Sequence, residues 1–308
     1  MKISIVVPVY NEGKPLFILH ERLVNSLKLF TDSYEIVLVD DRSPDNSWEI
    51  MSEIAKIDKN VKLIRLIRNF GQHNALTAGI QSTKGEYIVL MDCDQQDHPE
   101  DIIHLYNELI SKKINIVYAL RKNRKDKLLK RFNSIIVSKI LEILSGIEFN
   151  AEVGTFRIFT KIVKEAYLAM PEKNRFLGGM FYWLGFESSS IEVQHSKRQF
   201  GTTNYTLSKQ LKLARLGLLS SSTKILSLGT YFGIIISFVS IIFAIYHLYM
   251  KFSHNVPMGY TSIMVSISLS TGFILFFLGI IGEYLREIFE EIKGRPSYYI
   301  EEKINFEE

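Results

Sequence analysis

The feature that most constrains this chain is the alternation of short apolar runs with amphipathic helical patterns over its first two-thirds. The apolar runs are rich in β-branched residues, which is typical of buried strands. They cover residues 3–9, 34–39, 61–67, 86–91 and 114–120. After the first run, leucines recur at helical spacing. Apolar strands separated by helices predict an α/β fold, with a mostly parallel sheet covered on both faces.

Polar residues follow several of these strands at the points where the strands end. In sheets of this kind, ligands bind beyond the carboxyl ends of the strands. The polar residues at four strand ends are Tyr10, Asn11, Glu12, Asp40, Asp41, Arg68, Asp92 and Asp94. We therefore expect these side chains to meet at one edge of the sheet and to line a ligand site.

The densest cluster is "DCDQQDHPE" at 92–100, which places four carboxylates close together in a chain with a net charge of +4. Such crowding is costly unless a cation lies among the acids, and hard divalent cations choose oxygen ligands. Asp92 and Asp94 are two residues apart, Gln96 adds a neutral oxygen and Asp97 follows. Mg²⁺ or Mn²⁺ usually binds one or two carboxylates plus substrate phosphates, so we expect a metal that bridges the protein to a nucleotide diphosphate. The alternative is a solvated acidic turn.

The last third of the chain differs because two long runs, 226–250 and 259–282, contain no Asp, Glu, Lys or Arg. As a helix the first run would be about 37 Å long, which is enough to cross a bilayer core. The short segment between the runs predicts a helical hairpin, and basic residues flank its outer ends. By the positive-inside rule we expect a multi-pass protein of the cytoplasmic membrane with both termini cytoplasmic. The alternative is a pair of buried core helices.

The segment before the first run, 206–224, carries leucines among basic residues. This favours an amphipathic helix on the membrane surface, and the alternative is a helix packed on the α/β domain. Small residues in the two apolar runs suit close helix packing, so we also expect a homo-oligomer. The predicted parts are an α/β domain at 1–205, the surface helix at 206–224, the transmembrane pair within 225–283 and a cytoplasmic tail at 284–308.

A strongly basic run at 122–131 follows the fifth predicted strand, with six basic residues and one acid. Runs of this kind are usually solvated faces. At the ligand edge of a membrane-bound protein, however, arginines in such a run can clamp a phosphate through bidentate hydrogen bonds. The single cysteine, Cys93, excludes an intramolecular disulfide.

Four motifs, in chain order, resemble family 2 glycosyltransferases of GT-A fold. They are "SIVVPVYNEG", "VLVDDRSPDNS", "RNFGQHNALTAG" and "DCDQQDHPED". Four more resemble the polyprenyl-phosphate glycosyltransferase branch, to which dolichol-phosphate mannose synthase and bactoprenol glucosyltransferase belong. They are "RKNRKDKLLKR", "VGTFRIF", "RQFGTTNY" and "GEYLREIFEEIKGRPSYYI". The resemblance covers almost the whole chain and implies a Rossmann-like GT-A catalytic domain that binds a nucleotide-sugar.

The resemblance also implies a role for each matching residue. The nucleotide would be bound by Pro8, Tyr10, Glu12, Asp40, Arg68 and Asp92, with Asp40 on the base and Asp92 on the ribose. The metal would be bound by Asp94 and Gln96. The catalytic residues would be Asp94, Asp97 and Arg198, with Arg198 near the donor diphosphate. The acceptor phosphate would be held by Arg121 and Arg131.

Two departures from the family pattern bear on the sugar. Thr155 stands where the bacterial glucosyl branch usually has Asp before Phe-Arg, with Glu152 nearby as a substitute. Thr203–Asn204–Tyr205 stands where many relatives have Ser-Lys-Tyr. UDP-glucose, UDP-N-acetylhexosamine and GDP-mannose all stay open, because pocket shape decides among them. The resemblance favours a UDP-sugar.

We expect an inverting transfer of a sugar from a nucleotide-sugar to polyprenyl (undecaprenyl) phosphate. This acceptor is already anionic, so it can attack without a general base, and Asp97 would orient the loop or act as a base. One alternative is a membrane glycosyltransferase with a diacylglycerol or polysaccharide acceptor, and another is a non-catalytic nucleotide-sugar-binding scaffold. The expected partners are the nucleotide-sugar, the polyprenyl phosphate, the lipid bilayer, a flippase and a downstream glycosyltransferase, with no nucleic acid.

Overall fold

The computed structural model describes residues 2–121, 153–173, 175–194, 196 and 259–306, together with scattered residues between 231 and 253. The strands are β1 (Ile3–Val9), β2 (Tyr34–Asp40), β3 (Val61–Leu66), β4 (Tyr87–Leu90), β5 (Ile116–Arg121), β6 (Val153–Thr160), β7 (Ser188–Val193) and β8 (Ile300–Ile304). The helices are α1 (Leu16–Lys28), α2 (Ser47–Ile57), α3 (Gln72–Ser82), α4 (Ile102–Lys112), α5 (Lys161–Ala169), α6 (Leu177–Trp183) and α7 (Tyr260–Ile292). A 3₁₀ turn, Pro99–Asp101, leads into α4.

The eight strands form one sheet in the order β7-β5-β6-β4-β1-β2-β3-β8. β1 pairs in parallel with both β2 and β4, β2 pairs in parallel with β3, and β5 pairs in parallel with β7. β6 and β8 run antiparallel to their neighbours. The prediction of an α/β fold with a mostly parallel sheet is therefore confirmed.

The strands β1 to β4 are buried on both faces of the sheet, which explains why they read as nearly continuous apolar runs, whereas the edge strands β7 and β8 are largely exposed. Ile5 and Val7 of β1 pack with α1, α2 and α4 on one face, and Val6 packs with α3, α5 and α6 on the other. Helix α3 approaches the sheet closely, because a Cβ added at Gly79 would lie 2.3 Å from a methyl of Val6. Glycine at this position therefore permits the contact between α3 and β1.

Three strands, β6, β7 and β8, were not predicted from the sequence, and β7 pairs with β5 at the edge of the sheet. β6 lies between β4 and β5 and pairs antiparallel with both. β8 lies within the predicted tail, 284–308, and pairs antiparallel with β3 at the edge of the sheet. All three strands pair with strands that are distant in the chain, so no local pattern of turn and strand indicates them.

The described residues form two compact units. One unit contains the sheet with its helices and the residues from Pro296 onward, and the other contains α7. Large apolar side chains of α7 are exposed, including Ile267, Phe276 and Ile281. Within the residues that the structure describes, no helix combines the length and the apolarity that crossing a membrane requires. The predicted hairpin stays a prediction, and the predicted surface helix at 206–224 lies outside the described residues.

A buried ion pair joins β2 and β3 at the end of the sheet opposite the predicted ligand edge. Glu35 of β2 is 1% exposed and accepts hydrogen bonds from Ser4 Oγ at 2.5 Å, Lys62 Nζ at 2.6 Å and the Lys84 backbone N–H at 2.6 Å. Burial would raise the pKa of Glu35, but these hydrogen bonds outweigh burial and hold its pKa below the ordinary value. The ionised carboxylate therefore stabilises the fold.

We predict that Glu35→Gln lowers the free energy of unfolding by about 3 kcal/mol, because it leaves the buried Lys62 ammonium without its charged partner. In the unmutated protein, the contribution of Glu35 is fully present above its unfolded-state pKa and is lost as the pH falls through the lowered folded-state pKa. Thermal unfolding at neutral and acidic pH measures both effects. Glu53→Gln, at an exposed position of α2, is the control, and equal melting of the two variants would contradict the prediction.

Candidate active site

The carboxyl ends of β1, β2, β3 and β4 lie at one edge of the sheet because these strands run in the same direction. Val9, at the end of β1, is in register with Asp40 at the end of β2, and the Asp41 backbone N–H donates to the Val9 carbonyl at 2.9 Å. Tyr10, which follows β1, is exposed, whereas Pro8 within the strand is partly buried. The structure thus brings the predicted strand-end residues to the same edge.

Asp40 is the most deeply buried of these residues, with 0% of its surface exposed. Its Oδ1 accepts the Ser43 backbone N–H at 2.9 Å, and its Oδ2 lies 3.4 Å from Arg65 Nε. Burial raises the pKa of Asp40, while the hydrogen bonds from Ser43 and the positive charge of Arg65 oppose that rise. The carboxyl group is therefore enclosed by protein, with the Arg65 guanidinium beside it.

Asp41 anchors the loop that follows β3, a role that sequence reasoning did not assign. Its two carboxylate oxygens accept the backbone N–H groups of Phe70 at 2.7 Å and Gly71 at 2.8 Å. Burial raises the pKa of Asp41 to about 6, against the effect of these two hydrogen bonds. Gly71 has a φ of +90°, which suits glycine, and it immediately precedes α3. The guanidinium of Arg68 packs over the Phe70 ring at 4.7 Å, so Asp41 fixes the loop that carries Arg68.

Asp92 is held by Gln72, the first residue of α3, which was also missed from the sequence. The Gln72 side-chain amide donates to Asp92 Oδ1 at 2.7 Å and reaches Thr155 Oγ1 at 3.5 Å. Thr155 is the residue that replaces the aspartate of the family pattern. Gln72 therefore links the acidic loop after β4 to the start of β6, and it orients Asp92.

The acidic loop alternates between partly exposed and buried side chains. Asp92, Asp94 and Gln96 are partly exposed, whereas Cys93 and Gln95 are buried between them. This alternation agrees with the prediction that Asp92 and Asp94 point the same way. Asp97 is 0% exposed, so it does not line the open edge.

Several hydrogen bonds fix the shape of this loop. Gln95 adopts a positive φ of 59°, accepts a hydrogen bond from Arg22 at 3.3 Å and donates to the Pro15 carbonyl at 3.0 Å. The Gln96 backbone N–H donates to Asp94 Oδ1 at 3.0 Å, which closes a local turn. The Gln96 side chain donates to the Ser196 carbonyl at 3.4 Å through its NH₂ group. The amide oxygen of Gln96 is the atom that the prediction assigned to the metal.

The donor groups at this edge fit a metal that arrives with a nucleotide. Among the described residues, no group of three or more His, Cys, Asp and Glu side chains is arranged to hold a metal ion. Mg²⁺ and Mn²⁺ commonly take one or two protein carboxylates and complete their shells with substrate phosphates and water. Asp94, partly exposed on the open side of the loop, can supply one such carboxylate, and the partly exposed Gln96 can add a neutral oxygen.

A buried cation lies close to the acidic loop. Arg157 of β6 is 3% exposed, packs between the rings of Tyr118 and Phe181, and donates to the carbonyls of Gly154 and Thr155. Burial lowers the pKa of Arg157. Burial, together with the Arg157 charge, lowers the pKa of His73 to about 4, so this imidazole is neutral at physiological pH.

Some predicted residues lie outside this description. Arg131, Arg198, Glu152 and the Thr203–Asn204–Tyr205 segment fall in parts of the chain that the structure does not describe. Arg121 is the last residue of β5, which places its backbone at the carboxyl end of a strand parallel to β4. The roles predicted for these residues stay predictions.

A mostly parallel α/β sheet, with an acidic loop and buried carboxylates at the carboxyl edge, defines the GT-A-like class of nucleotide-sugar-dependent transferases. The model of the family "Glycosyl transferase family 2" matches residues 4–166, and the chain belongs to this family. The protein is therefore a glycosyltransferase that takes its sugar from a nucleotide-sugar.

Relatives match the chain over nearly its full length. The SfII prophage-derived bactoprenol glucosyl transferase of Shigella flexneri is 32% identical, covering 97% of each chain. The undecaprenyl-phosphate 4-deoxy-4-formamido-L-arabinose transferase of Yersinia pestis is 28% identical, covering 100% of this chain and 95% of the relative. The fold resembles that of the Mycobacterium tuberculosis glucosyl-3-phosphoglycerate synthase solved with Mn²⁺, UDP and its product. The TM-score is 0.51 at 17% identity, over 71% of this chain and 77% of that one.

We predict that Asp41→Asn reduces sugar transfer about tenfold. The asparagine NH₂ group would face a backbone N–H and, unlike the carboxylate oxygen that it replaces, could not accept a hydrogen bond from it. In the unmutated protein, activity should fall as the pH drops through about 6, where Asp41 takes up a proton and loses one acceptor. Initial rates against pH measure both effects. Asp32→Asn, at an exposed loop position, is the matched control. Asp41→Asn activity equal to the control would contradict the anchoring role.

Proposed function

We propose that this protein transfers a sugar, with inversion, from a UDP-sugar to polyprenyl (undecaprenyl) phosphate at the cytoplasmic face of a membrane. The observation that supports the acceptor most directly is the near-complete match to two relatives whose names specify bactoprenol and undecaprenyl phosphate. The match covers the α/β domain and the apolar C-terminal third alike. The favoured UDP-sugar rests on the family resemblance.

The donor would lie along the edge formed by β1, β2 and β4. Tyr10 and Glu12 follow β1 and would line the nucleotide pocket with Pro8, while Asp40 would accept an N–H from the base. Asp92, oriented by Gln72, would accept hydrogen bonds from the ribose hydroxyls. Arg68, fixed by the Asp41-anchored loop, would lie toward the phosphates.

Asp94 and Gln96 would hold Mg²⁺ or Mn²⁺ together with the donor diphosphate. Bound there, the metal would supply Lewis-acid stabilisation of the charge on the departing nucleoside diphosphate. The Gln96 backbone N–H donates to Asp94 Oδ1, and the turn that this hydrogen bond closes keeps both residues on the open side of the loop. Arg198 would add a second positive charge beside the diphosphate.

The acceptor phosphate would be bound by Arg121 and Arg131, which can each present two N–H donors to it. Its oxygen is anionic at neutral pH and can attack the anomeric carbon directly, so alignment is the main requirement. Asp97 is completely buried, which suits a residue that holds the loop rather than a base that contacts the acceptor.

The membrane assignment rests on the sequence. The two uncharged runs, 226–250 and 259–282, and the basic residues outside them support a two-span hairpin with cytoplasmic ends. The exposed apolar side chains of α7 give this part of the protein a surface that lipid would cover. Membrane attachment would keep the site close to a lipid-borne acceptor.

The direct test of this function incubates membranes containing the protein with a panel of radiolabelled nucleotide-sugars and undecaprenyl phosphate. We expect one donor to label the lipid fraction, with release of the nucleoside diphosphate, and a chelator to stop the reaction. Label in diacylglycerol or in polysaccharide would overturn the acceptor. Failure of every donor to give a labelled product would overturn the enzyme assignment in favour of a nucleotide-sugar-binding scaffold.

We predict that Asp94→Asn abolishes this transfer while leaving the protein folded and membrane-bound, because the neutral amide is a much weaker ligand for a hard cation. The measurement is Mn²⁺-dependent release of nucleoside diphosphate in the presence of undecaprenyl phosphate. Asp32→Asn should retain full activity, since this side chain is exposed in the loop before β2. Full activity of Asp94→Asn with an unchanged metal requirement would refute the ligand assignment.

A further inference from the structure

The segment that follows β7 meets the acidic loop that follows β4. β7 runs parallel to β5, and β6 runs antiparallel to both β5 and β4. β7 therefore ends at the same edge of the sheet as β4, although β5 and β6 lie between the two strands. Three strand spacings separate β7 from β4, which is about 14 Å. A contact between their loops has to span the ends of β5 and β6, so the pairing of the strands does not impose it.

Ser196, three residues after β7, forms hydrogen bonds to this loop through its backbone N–H, its carbonyl and its hydroxyl. The N–H donates to the Gln96 carbonyl at 3.0 Å, and the carbonyl accepts the Gln96 side-chain NH₂ at 3.4 Å. The hydroxyl oxygen lies 2.7 Å from His98 Nε2. Ser196, Gln96 and His98 together are named the Ser196 clamp. The clamp fixes Ser196 against the acidic loop.

The clamp also fixes the orientation of the Gln96 amide. The Ser196 carbonyl can only accept a hydrogen bond, so the amide NH₂ of Gln96 meets it and the amide oxygen does not. The amide oxygen lies on the other branch of the group and faces away from this carbonyl. Rotating the amide by half a turn would break the bond and bring two oxygen atoms together. The clamp thus selects the orientation in which the Gln96 oxygen is available to a cation.

His98 supplies the shortest hydrogen bond of the clamp. The bond between the Gln96 amide and the Ser196 carbonyl is long, at 3.4 Å, and such a bond is weak by itself. It depends on contacts that keep Ser196 in place, which are the backbone bond at 3.0 Å and the His98 contact at 2.7 Å. His98 directly precedes the 3₁₀ turn Pro99–Asp101, which ties its backbone to the helix that follows.

A glutamine that is already oriented binds a cation at lower cost. A long side chain loses rotamer freedom when it coordinates a metal, and contacts that confine it beforehand remove part of that cost. Removing a partner that orients a metal ligand commonly lowers metal affinity by about 10- to 100-fold. Asp94 accepts a hydrogen bond within the loop itself, from the Gln96 backbone N–H. The side-chain orientation that the clamp controls is therefore that of Gln96.

We propose that Ser196 and His98 are positioning residues for the metal site at this edge. They hold the Gln96 amide so that its oxygen, and not its NH₂ group, faces a divalent cation bound with a nucleoside diphosphate. The proposal rests on the proposed function, because Gln96 is a metal ligand only within that function. It makes the segment after β7 a part of the metal site, and its loss should lower metal affinity without lowering nucleotide affinity.

Calorimetric titration of the full chain in nanodiscs with UDP and with GDP, each with and without Mn²⁺, tests the proposal. For the tighter nucleotide, the ratio of the two affinities measures the contribution of the metal and needs no turnover. We expect His98→Phe, which keeps a ring but removes the nitrogen, to lower this ratio about tenfold and to leave the metal-free affinity unchanged. His98→Gln, which returns an amide near the place of Nε2, should restore the ratio. His104→Phe, at an exposed position of α4, is the matched control.

A double-mutant cycle tests whether both residues act through Gln96. Ser196→Ala should match His98→Phe, and the two together should cost no more than either alone, because both remove the same hydrogen bond. In a Gln96→Ala background, His98→Phe should cause no further loss. Melting temperatures identify any loss of folding, and if His98→Phe fails to fold, Ser196→Ala carries the same test.

Four results would each overturn the proposal. They are a normal ratio in His98→Phe, no recovery in His98→Gln, a metal-free affinity that falls as far as the affinity with Mn²⁺, and additive losses in either cycle.

Gln96→Ala distinguishes this proposal from the function on which it rests. If the unmutated protein binds neither nucleotide, or gains nothing from Mn²⁺, the proposed donor or its metal is wrong and the proposal falls with it. If Gln96→Ala loses the gain from Mn²⁺ while His98→Phe and Ser196→Ala behave like His104→Phe, Gln96 stands as a ligand and only the clamp fails.

Discussion

Parallel hydrogen bonding of β1 to both β2 and β4 is the constraint on which the rest of the structure depends. The pairing starts at Ile3 on both sides, so all three strands end at the same edge. Asp40 and Asp92 are far apart in the chain, yet the register brings both to that edge. If β4 ran in the opposite direction, the acidic loop would leave the sheet at the end where Glu35 lies, and no nucleotide could contact both aspartates.

Aspartates lie at this edge in two different electrostatic environments. Asp40 and Asp41 are buried, and their raised pKa values reflect the cost of keeping charge away from water. Backbone N–H groups offset that cost without adding net charge, and through these hydrogen bonds the two carboxylates hold loops. Asp92 and Asp94 are partly exposed on one side of their loop and keep access to solvent, which suits the ribose contact proposed for Asp92 and the cation contact proposed for Asp94.

The sequence predicted the part of the fold that local patterns encode. Apolar runs predicted β1 to β5, and the polar residues after several of them predicted the edge. The contacts of Asp41 with the loop after β3, of Gln72 with Asp92, and of Ser196 with Gln96 were missed, because each joins segments that are distant in the chain. β8 is a short, largely polar strand beyond the apolar third, where no periodicity indicates pairing with β3. The burial of Asp97 was also not predicted from the sequence, because it depends on how the loop packs.

The proposed acceptor arrives without a proton to lose, and this bears on which residues the reaction requires. A sugar or glycerol hydroxyl must lose a proton as it attacks, and it therefore needs a base that contacts it. Asp97 is completely buried, and the pKa of His73 is lowered to about 4, which makes this imidazole a weak base. If Asp94 binds the metal, its carboxylate coordinates the cation and is not available as a base. A phosphate monoester on a lipid needs no such base, so the proposed acceptor can react without one.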